Sequence, residues 1–320
     1  MAHDIGSRVS AAVRTIVADT GNLPLPGSGA TGERWTALTD WTRADTVVGR
    51  LLEAHYDAAA ILAEAGADPV SSGQLWGVWA AEVAPAVEAR RLADGSWTLS
   101  GRKQWCSGAH RCTHALVTAR ADGVSRLFAV VLDRSTVRPE PNSWPPVGMH
   151  DSDTGAVSFD GARASAVGDP DFYTGRAGFW HGAIGVAACW FGAASGVAEP
   201  LYRRAGEGRA GPHALAHLGA VDAALAACRH TFEGAAAAVD RHPDSLEDAR
   251  IRAFRVRAIV ERAAQEVLDR VGRALGAAPW ALDDAHARRA ADLTVYLRQS
   301  HAEVDLETLG HAVAAGWESR

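Results

Sequence analysis

The 320-residue sequence has only four cysteines, at positions 106, 112, 189 and 228. None forms a C-x-x-C pair or any other metal-ligand spacing. That argues against a zinc ribbon or a disulfide scaffold, and predicts reduced thiols, a cytoplasmic setting and no metal site. Methionine is nearly missing, with two residues, and neither sign of charge is in large excess: the net charge is -6 and the pI about 6.1. A slightly acidic chain lacks the electrostatic footprint of a nucleic-acid or anionic-membrane binder. Apolar runs read as shorter than the roughly 18–20 residues that span a bilayer. The start, Met1-Ala2-His3-Asp4-Ile5, lacks the basic flank and apolar core of a secretory signal. Tryptophan, by contrast, is abundant (11 residues), and 48% hydrophobic against 22% charged residues is ordinary for a globular protein. The length suits one large or two to three small domains.

Periodicity divides the chain into three segments. Residues 1–72 read as a short helical domain: a helix over Ser7–Ala18, a Gly/Pro-rich loop at Gly21–Gly29, and one helix from Trp35 to Gly66. The stripe Val47, Leu51, Leu52, Ala58 and Leu62 marks that helix, and Gly66-Ala67-Asp68-Pro69 ends it. His55 and Tyr56 lie on it as a surface or core-edge pair. Over residues 73–168 the period changes to two. Runs at Leu75–Ala80, Trp97–Trp105, His114–Ala119, Leu127–Leu132 and Ala156–Asp160 predict an antiparallel sheet or small barrel. Residues 169–320 read as helical from about Phe179, broken at Gly206-Glu207-Gly208, His242-Pro243-Asp244 and Gly276–Pro279. Ser245 is placed to cap a helix whose apolar face is Val256, Val260, Ala263, Val267 and Val271. Four helices with short connections predict an antiparallel bundle. The fold class is thus α+β, mostly α.

Two stretches carry chemistry. In Leu99-Ser100-Gly101-Arg102-Lys103-Gln104-Trp105-Cys106-Ser107-Gly108-Ala109, a strand ends in an indole, a hydroxyl and a turn. An indole offers a flat apolar face, and a hydroxyl donates a hydrogen bond without bringing charge. The same stretch also reads as an ordinary strand and turn with a core tryptophan. The second stretch is Val147-Gly148-Met149-His150-Asp151-Ser152-Asp153-Thr154-Gly155, followed by Val157-Ser158-Phe159. Together they resemble the "G-x-K-x-W-I-T-N" and "R-x-S-x-T…V-x-F" strands of the acyl-CoA dehydrogenase flavoproteins, with His150 at the Arg position. The resemblance implies FAD as cofactor: Trp105 packing on the isoalloxazine, Ser107 donating to it, and Ser152 and Thr154 on the neighbouring strand. It also implies Gly276, in Gly272–Gly276, as the loop that reaches a neighbouring subunit's cofactor. For Gly276 a plain helix cap is the competing reading. Arg209 falls near the expected place of an FAD-pyrophosphate arginine whose motif is otherwise illegible, and no Gly-Ser-Asp follows Glu82.

In that family a glutamate removes the proton alpha to a thioester while flavin takes the hydride. Aligning Ala291-Asp292-Leu293 with the family's Arg-Asp-Ala puts the glutamate at Ser300. The alternative site falls at Val186-Ala187. Neither position holds an acid. The same region offers His301 and Asp305 at i, i+4 on an expected continuous helix, with Glu303 about 160° away at ~3.6 residues per turn. His301 and Glu303 are the candidate catalytic residues, against a solvated helix face as the bland alternative. His181 is a further cleft candidate, against a helix-end histidine. The resemblance points to an FAD-dependent oxidoreductase; the alternatives are a flavin monooxygenase on the same fold and a non-catalytic subunit paired with an active homologue. The expected partners are a small molecule (a CoA thioester in the first case) and copies of the chain in a homodimer or homotetramer, or a homologue in a heteromer.

Overall fold

The computed structural model describes residues 2–141 and 143–315. Three helices come first: α1 (Ala2–Thr20), α2 (Thr31–Ala44) and α3 (Thr46–Glu64). Seven strands follow: β1 (Trp76–Trp79), β2 (Glu88–Arg91), β3 (Trp97–Cys106), β4 (His114–Ala121), β5 (Val124–Val131), β6 (Val137–Pro139) and β7 (Gly155–Val167). The remainder is helical: α4 (Ala177–Gly206), α5 (Pro212–Arg241), α6 (Leu246–Leu275), α7 (Ala278–Leu282), α8 (Asp284–Tyr296) and α9 (Glu303–Ala315). Contacts group these into two interleaved units. One holds the residues up to Leu23 with Arg50–Pro146 and His150–Phe179; the other holds Pro24–Gly49, Val147–Met149 and the residues from Trp180 on.

In the first unit, β4-β2-β3-β7-β5 form a circuit that closes through the β4–β5 pairing, with β1 added alongside β4. This is the expected small barrel, with two differences. β1 and β2 pair with β4 in parallel, and the short strands β2 and β6 carry no alternating apolar pattern by which to find them. Leu99, Val117, Phe128 and Val157 fill the interior. Lys103, the only lysine in the sequence, is buried and donates to the carbonyl and hydroxyl of Thr118, both at 2.7 Å. Burial lowers its ammonium to about 8, still mostly charged at neutral pH. Gly101 (φ 126°) is required where β3 passes the chain before β2, because a Cβ there would stand 3.2 Å from the Val87 Cα.

The expected single helix over 35–66 is two helices. Asp45 is extended, and its carboxylate accepts from the amides of Val47 and Val48 at 2.9 and 3.0 Å. That cap starts α3 and stops α2. His55 and Tyr56 are buried rather than at the surface or core edge. His55 Nδ1 accepts from the Trp76 amide at 3.3 Å, joining α3 to β1.

In the second unit, α4, α5 and α6 are 30 residues each, and with α8 they make the bundle. The breaks between them fall where the sequence placed them, and the five apolar positions of α6 are all buried. Ser245 stands at the N-cap of α6 but makes no capping bond; its hydroxyl donates instead to Asp248 at 2.8 Å. Contrary to the expectation of only short apolar runs, α4 is long and apolar enough to cross a membrane by length and composition. However, 78% of its apolar window is buried within the protein. Part of its cover is α2. A Cβ at Gly192 would collide with the Thr39 carbonyl, so the glycine permits backbone-to-backbone approach. The last segment is not one continuous helix: α8 ends at Tyr296, Ser300 is extended, and Ala302 is left-handed (φ 47°) before α9 begins.

The four cysteines are free and buried, as expected of reduced thiols. Burial also pushes the His55 imidazole down to about 4. The folded protein therefore keeps His55 neutral where the unfolded chain, near 6.5, takes up a proton. Its contribution to stability is complete above pH 6.5 and is lost as pH falls toward 4, a change on the order of 3 kcal/mol. Urea unfolding at pH 7 and pH 4.5 should show a steeper loss for the wild type than for His55→Gln. Equal slopes would contradict the assignment.

Candidate functional site

In the first unit the two motif stretches meet. Between Lys103 and Cys106 the β3 strand takes three residue steps against two on β7, from Val157 to Gly155. This is a β-bulge, and it re-aims a side chain. Trp105 sits in it with φ 58°, a conformation costing a non-glycine residue roughly 1–2 kcal/mol. Trp105 is 59% exposed. The turn beyond is fixed by backbone bonds, Gly108 N–H to Ser152 O and Ala109 N–H to Asp153 O, both at 2.9 Å. Asp153, itself left-handed (φ 52°), accepts from the His110 amide and pairs with its Nδ1, both at 2.7 Å. Trp79 Nε1 donates to the Ser107 carbonyl at 3.0 Å.

Three hydroxyls then line up. Thr154 Oγ1 donates to Ser107 Oγ at 3.0 Å, and Thr154 and Ser152 hydroxyls lie 2.6 Å apart. Thr154 has one proton and gives it to Ser107, so Ser152 donates to Thr154. The chain runs Ser152→Thr154→Ser107 and leaves the Ser107 proton unused within it. Each bond polarises the next. Of the residues marked by the sequence, Trp105, Ser107, Ser152 and Thr154 are thus brought to one place.

The second unit holds a separate recess of about 170 Å³ formed by α6, the Ser300 segment and the start of α9. Ser300 Oγ donates to Glu261 Oε2 at 2.5 Å, and Gln265 Nε2 donates to Glu261 Oε1 at 3.1 Å. Arg257, one turn earlier on α6, donates to the carbonyls of Ala183 and Gln299 at 3.2 Å and lies 4.6 Å over the Trp190 ring. Asp305 stands between Arg257 Nε (4.0 Å) and His301 Nδ1 (3.4 Å). His301 and Asp305 therefore pair as expected, although through a turn and not along one helix. The 160° separation of Glu303 does not apply to this geometry: Glu303 opens α9 and lines the recess with Asp305. No motif in the sequence singles out Glu261 or Arg257. Their i, i+4 spacing was legible, but charged pairs on helices are common, and only the returning chain gives these two their partners.

Other positions separate from these clusters. Arg209 is an exposed residue of the α4–α5 turn, and its guanidinium is paired with Glu207. Gly276 caps α6 with φ 68°. His181 is buried in the bundle and hydrogen-bonds the Pro243 carbonyl at 2.8 Å, a helix-packing role. Ala187 is a fully buried core residue. Asp292 is structural: it accepts from the Met149 amide at 2.5 Å.

Residues 80–162 match the family described as acyl-CoA dehydrogenase, middle domain. No curated protein matches the sequence. Among solved structures, TdsC from Paenibacillus sp. A11-2, in complex with FMN and indole, superposes with a TM-score of 0.75 at 19% identity, covering 96% of this chain and 95% of that one. KijD3 in complex with FMN and a dTDP-linked amino-keto sugar gives 0.75 at 22%, covering 98% and 92%. Butyryl-CoA dehydrogenase from Megasphaera elsdenii gives 0.76 at 17%, covering 88% and 81%. The chain therefore has the acyl-CoA dehydrogenase fold, with a middle domain that matches that family.

The left-handed Trp105 generates a test of its own. Trp105→Gly relieves the backbone cost and gives up little buried surface, so thermal unfolding should show a protein equally stable or about 1 kcal/mol more stable. A loss above about 2 kcal/mol would mean that the indole is structural.

Proposed function

We propose that this protein is a flavin-dependent monooxygenase on the acyl-CoA dehydrogenase fold, using flavin reduced elsewhere, and not a thioester dehydrogenase. The observation that carries the reading is the hydrogen bonding at Ser300. A dehydrogenase needs a carboxylate free to take a carbon-bound proton. Here the expected position is a serine, and the nearest carboxylate, Glu261, has both oxygens engaged by Ser300 and Gln265. The extent of the likeness agrees. TdsC is described as a dibenzothiophene monooxygenase, and it and this chain cover each other almost fully.

The residues fit a flavin. A flat exposed indole held in a strained bulge suits stacking on an aromatic ring, and strained backbone of this kind concentrates at functional sites. The same feature counts against a non-catalytic subunit, in which nothing would maintain the cost. A reduced flavin, when bound, supplies the electrons with which one atom of dioxygen enters a substrate. The chain's own part is to orient the ring against Trp105 and to donate from Ser107, polarised by Thr154 and Ser152. His301 is largely exposed beside the recess, with its Nδ1 3.4 Å from Asp305, and is the side chain assigned to pass a proton there. On the adenylate side the fit is poor, because Arg209 is engaged by Glu207. FMN should therefore bind as tightly as FAD, the cofactor implied by the family resemblance.

Quenching of flavin fluorescence tests this directly. FMN and FAD should give dissociation constants within a few-fold of each other. Trp105→Gly should weaken both by roughly 5- to 150-fold, the loss of about 1–3 kcal/mol of stacking. Butyryl-CoA added without oxygen should leave the bound flavin's visible absorbance unbleached. Bleaching would establish a dehydrogenase, and no flavin binding at all would remove the flavin reading.

A further inference from the structure

Beside the paired turns of the first unit lies a cleft of about 990 Å³, walled on one side by α1 from Gly6 to Thr15. That is the size of a small-molecule site, and its lining is rich in hydroxyl-bearing and charged side chains. Among the described residues, no tryptophan, tyrosine, phenylalanine, leucine, isoleucine or valine lines it. The walls carry hydroxyls of Ser7, Ser10 and Thr15 and two guanidiniums, Arg14 and Arg111, which reach it from different elements. His110 and His150 complete the lining on the side facing α1, with Asp151 and Asp153.

Two guanidiniums and two carboxylates line the cleft, and its two arginines are held differently. The Asp153 carboxylate accepts from the amide and ring of His110. Arg111 donates to the Asp151 backbone carbonyl, a neutral group that fixes the guanidinium in place and leaves its charge in the cleft. Arg14 makes no ion pair or hydrogen bond among the described residues. Two guanidiniums with fixed forks, one anchored and one on a helix face, match the planar, bidentate geometry of an oxyanion.

We propose that this cleft binds the oxyanion end of a small polar molecule, a phosphate ester or a sulfonate, through Arg14 and Arg111. The inference does not rest on the flavin reading, and its two arginines belong to neither the Trp105 nor the Ser300 cluster.

Calorimetric titration of the flavin-free full chain, at constant ionic strength, tests it with phenyl phosphate, benzenesulfonate and the neutral analogue phenol. Either anion should saturate a single site, and phenol should neither bind comparably nor compete. The stronger of the two anions identifies the headgroup. Arg14→Gln should weaken the anion at least 10-fold while leaving the thermal midpoint unchanged, because Arg14 is an exposed residue on a helix face. Arg111→Lys keeps a charge but loses the fork, and should weaken it as well. The proposal is overturned if Arg14→Gln leaves anion binding intact, if phenol binds as well as the anions, or if neither anion binds. It is also overturned if Arg14→Gln reduces affinity for FMN but not for riboflavin, which would make the cleft the cofactor's own phosphate site. Anion binding that persists in a protein found to bind no flavin would support this site and reject only the flavin reading.

Discussion

One extra residue in β3 decides the arrangement of the first unit. Along an unbroken strand, Leu99, Gly101, Lys103 and Trp105 would share a face, and Leu99 and Lys103 are both buried. The indole would then enter the barrel. The bulge between Lys103 and Cys106 changes the parity, so Cys106 takes the buried place and Trp105 turns out. Everything beyond depends on that shift. The turn at Gly108 can reach Ser152 and Asp153 by backbone bonds, the hydroxyls of Ser107, Thr154 and Ser152 come into line, and His110 meets Asp153. The cost is a left-handed tryptophan, borne by the surrounding hydrogen bonds.

The second unit solves a different problem, which is how to hold a nonhelical segment against a helix. Four carbonyl, hydroxyl and carboxylate groups of the 297–305 region and α4 are met by Arg257 and Glu261 from successive turns of α6. Arg257 also lies over the Trp190 ring, and a guanidinium is weakly hydrated enough to accept that burial. Breaking either α6 residue would leave buried groups unpaired, which costs more than the bonds themselves return. The connection is therefore constrained by charge and hydrogen bonding more than by apolar packing.

Small residues explain how α4 can be so apolar without facing lipid. Its uncharged stretch is covered by other helices of its own unit, and Gly192 and Gly196 bring α2 close enough for Thr39 to donate to the Ala188 carbonyl at 3.2 Å. Hydropathy alone does not distinguish such a core helix from a membrane span, because both are runs of apolar side chains. The neighbours that cover them make the difference.

The sequence by itself determined the order of helical, β and helical segments, the breaks between the long bundle helices and the buried face of α6. Those features follow from local periodicity and from Gly and Pro, which act within a few residues. It also marked the two stretches that meet around Ser107 and Thr154, because indole, hydroxyl and turn residues are recognisable in order. The split at Asp45 was written there too, as an aspartate before Thr46, but was obscured by the apolar stripe that runs across it. Only the tertiary structure decided the rest. The closure of the barrel, the parallel pairings of β4, the burial of His55 and the engagement of Glu261 by Ser300 join residues far apart in the chain. Parity at Trp105 belongs with them. A bulge is defined by what the partner strand leaves unpaired, and one strand's sequence does not contain its partner.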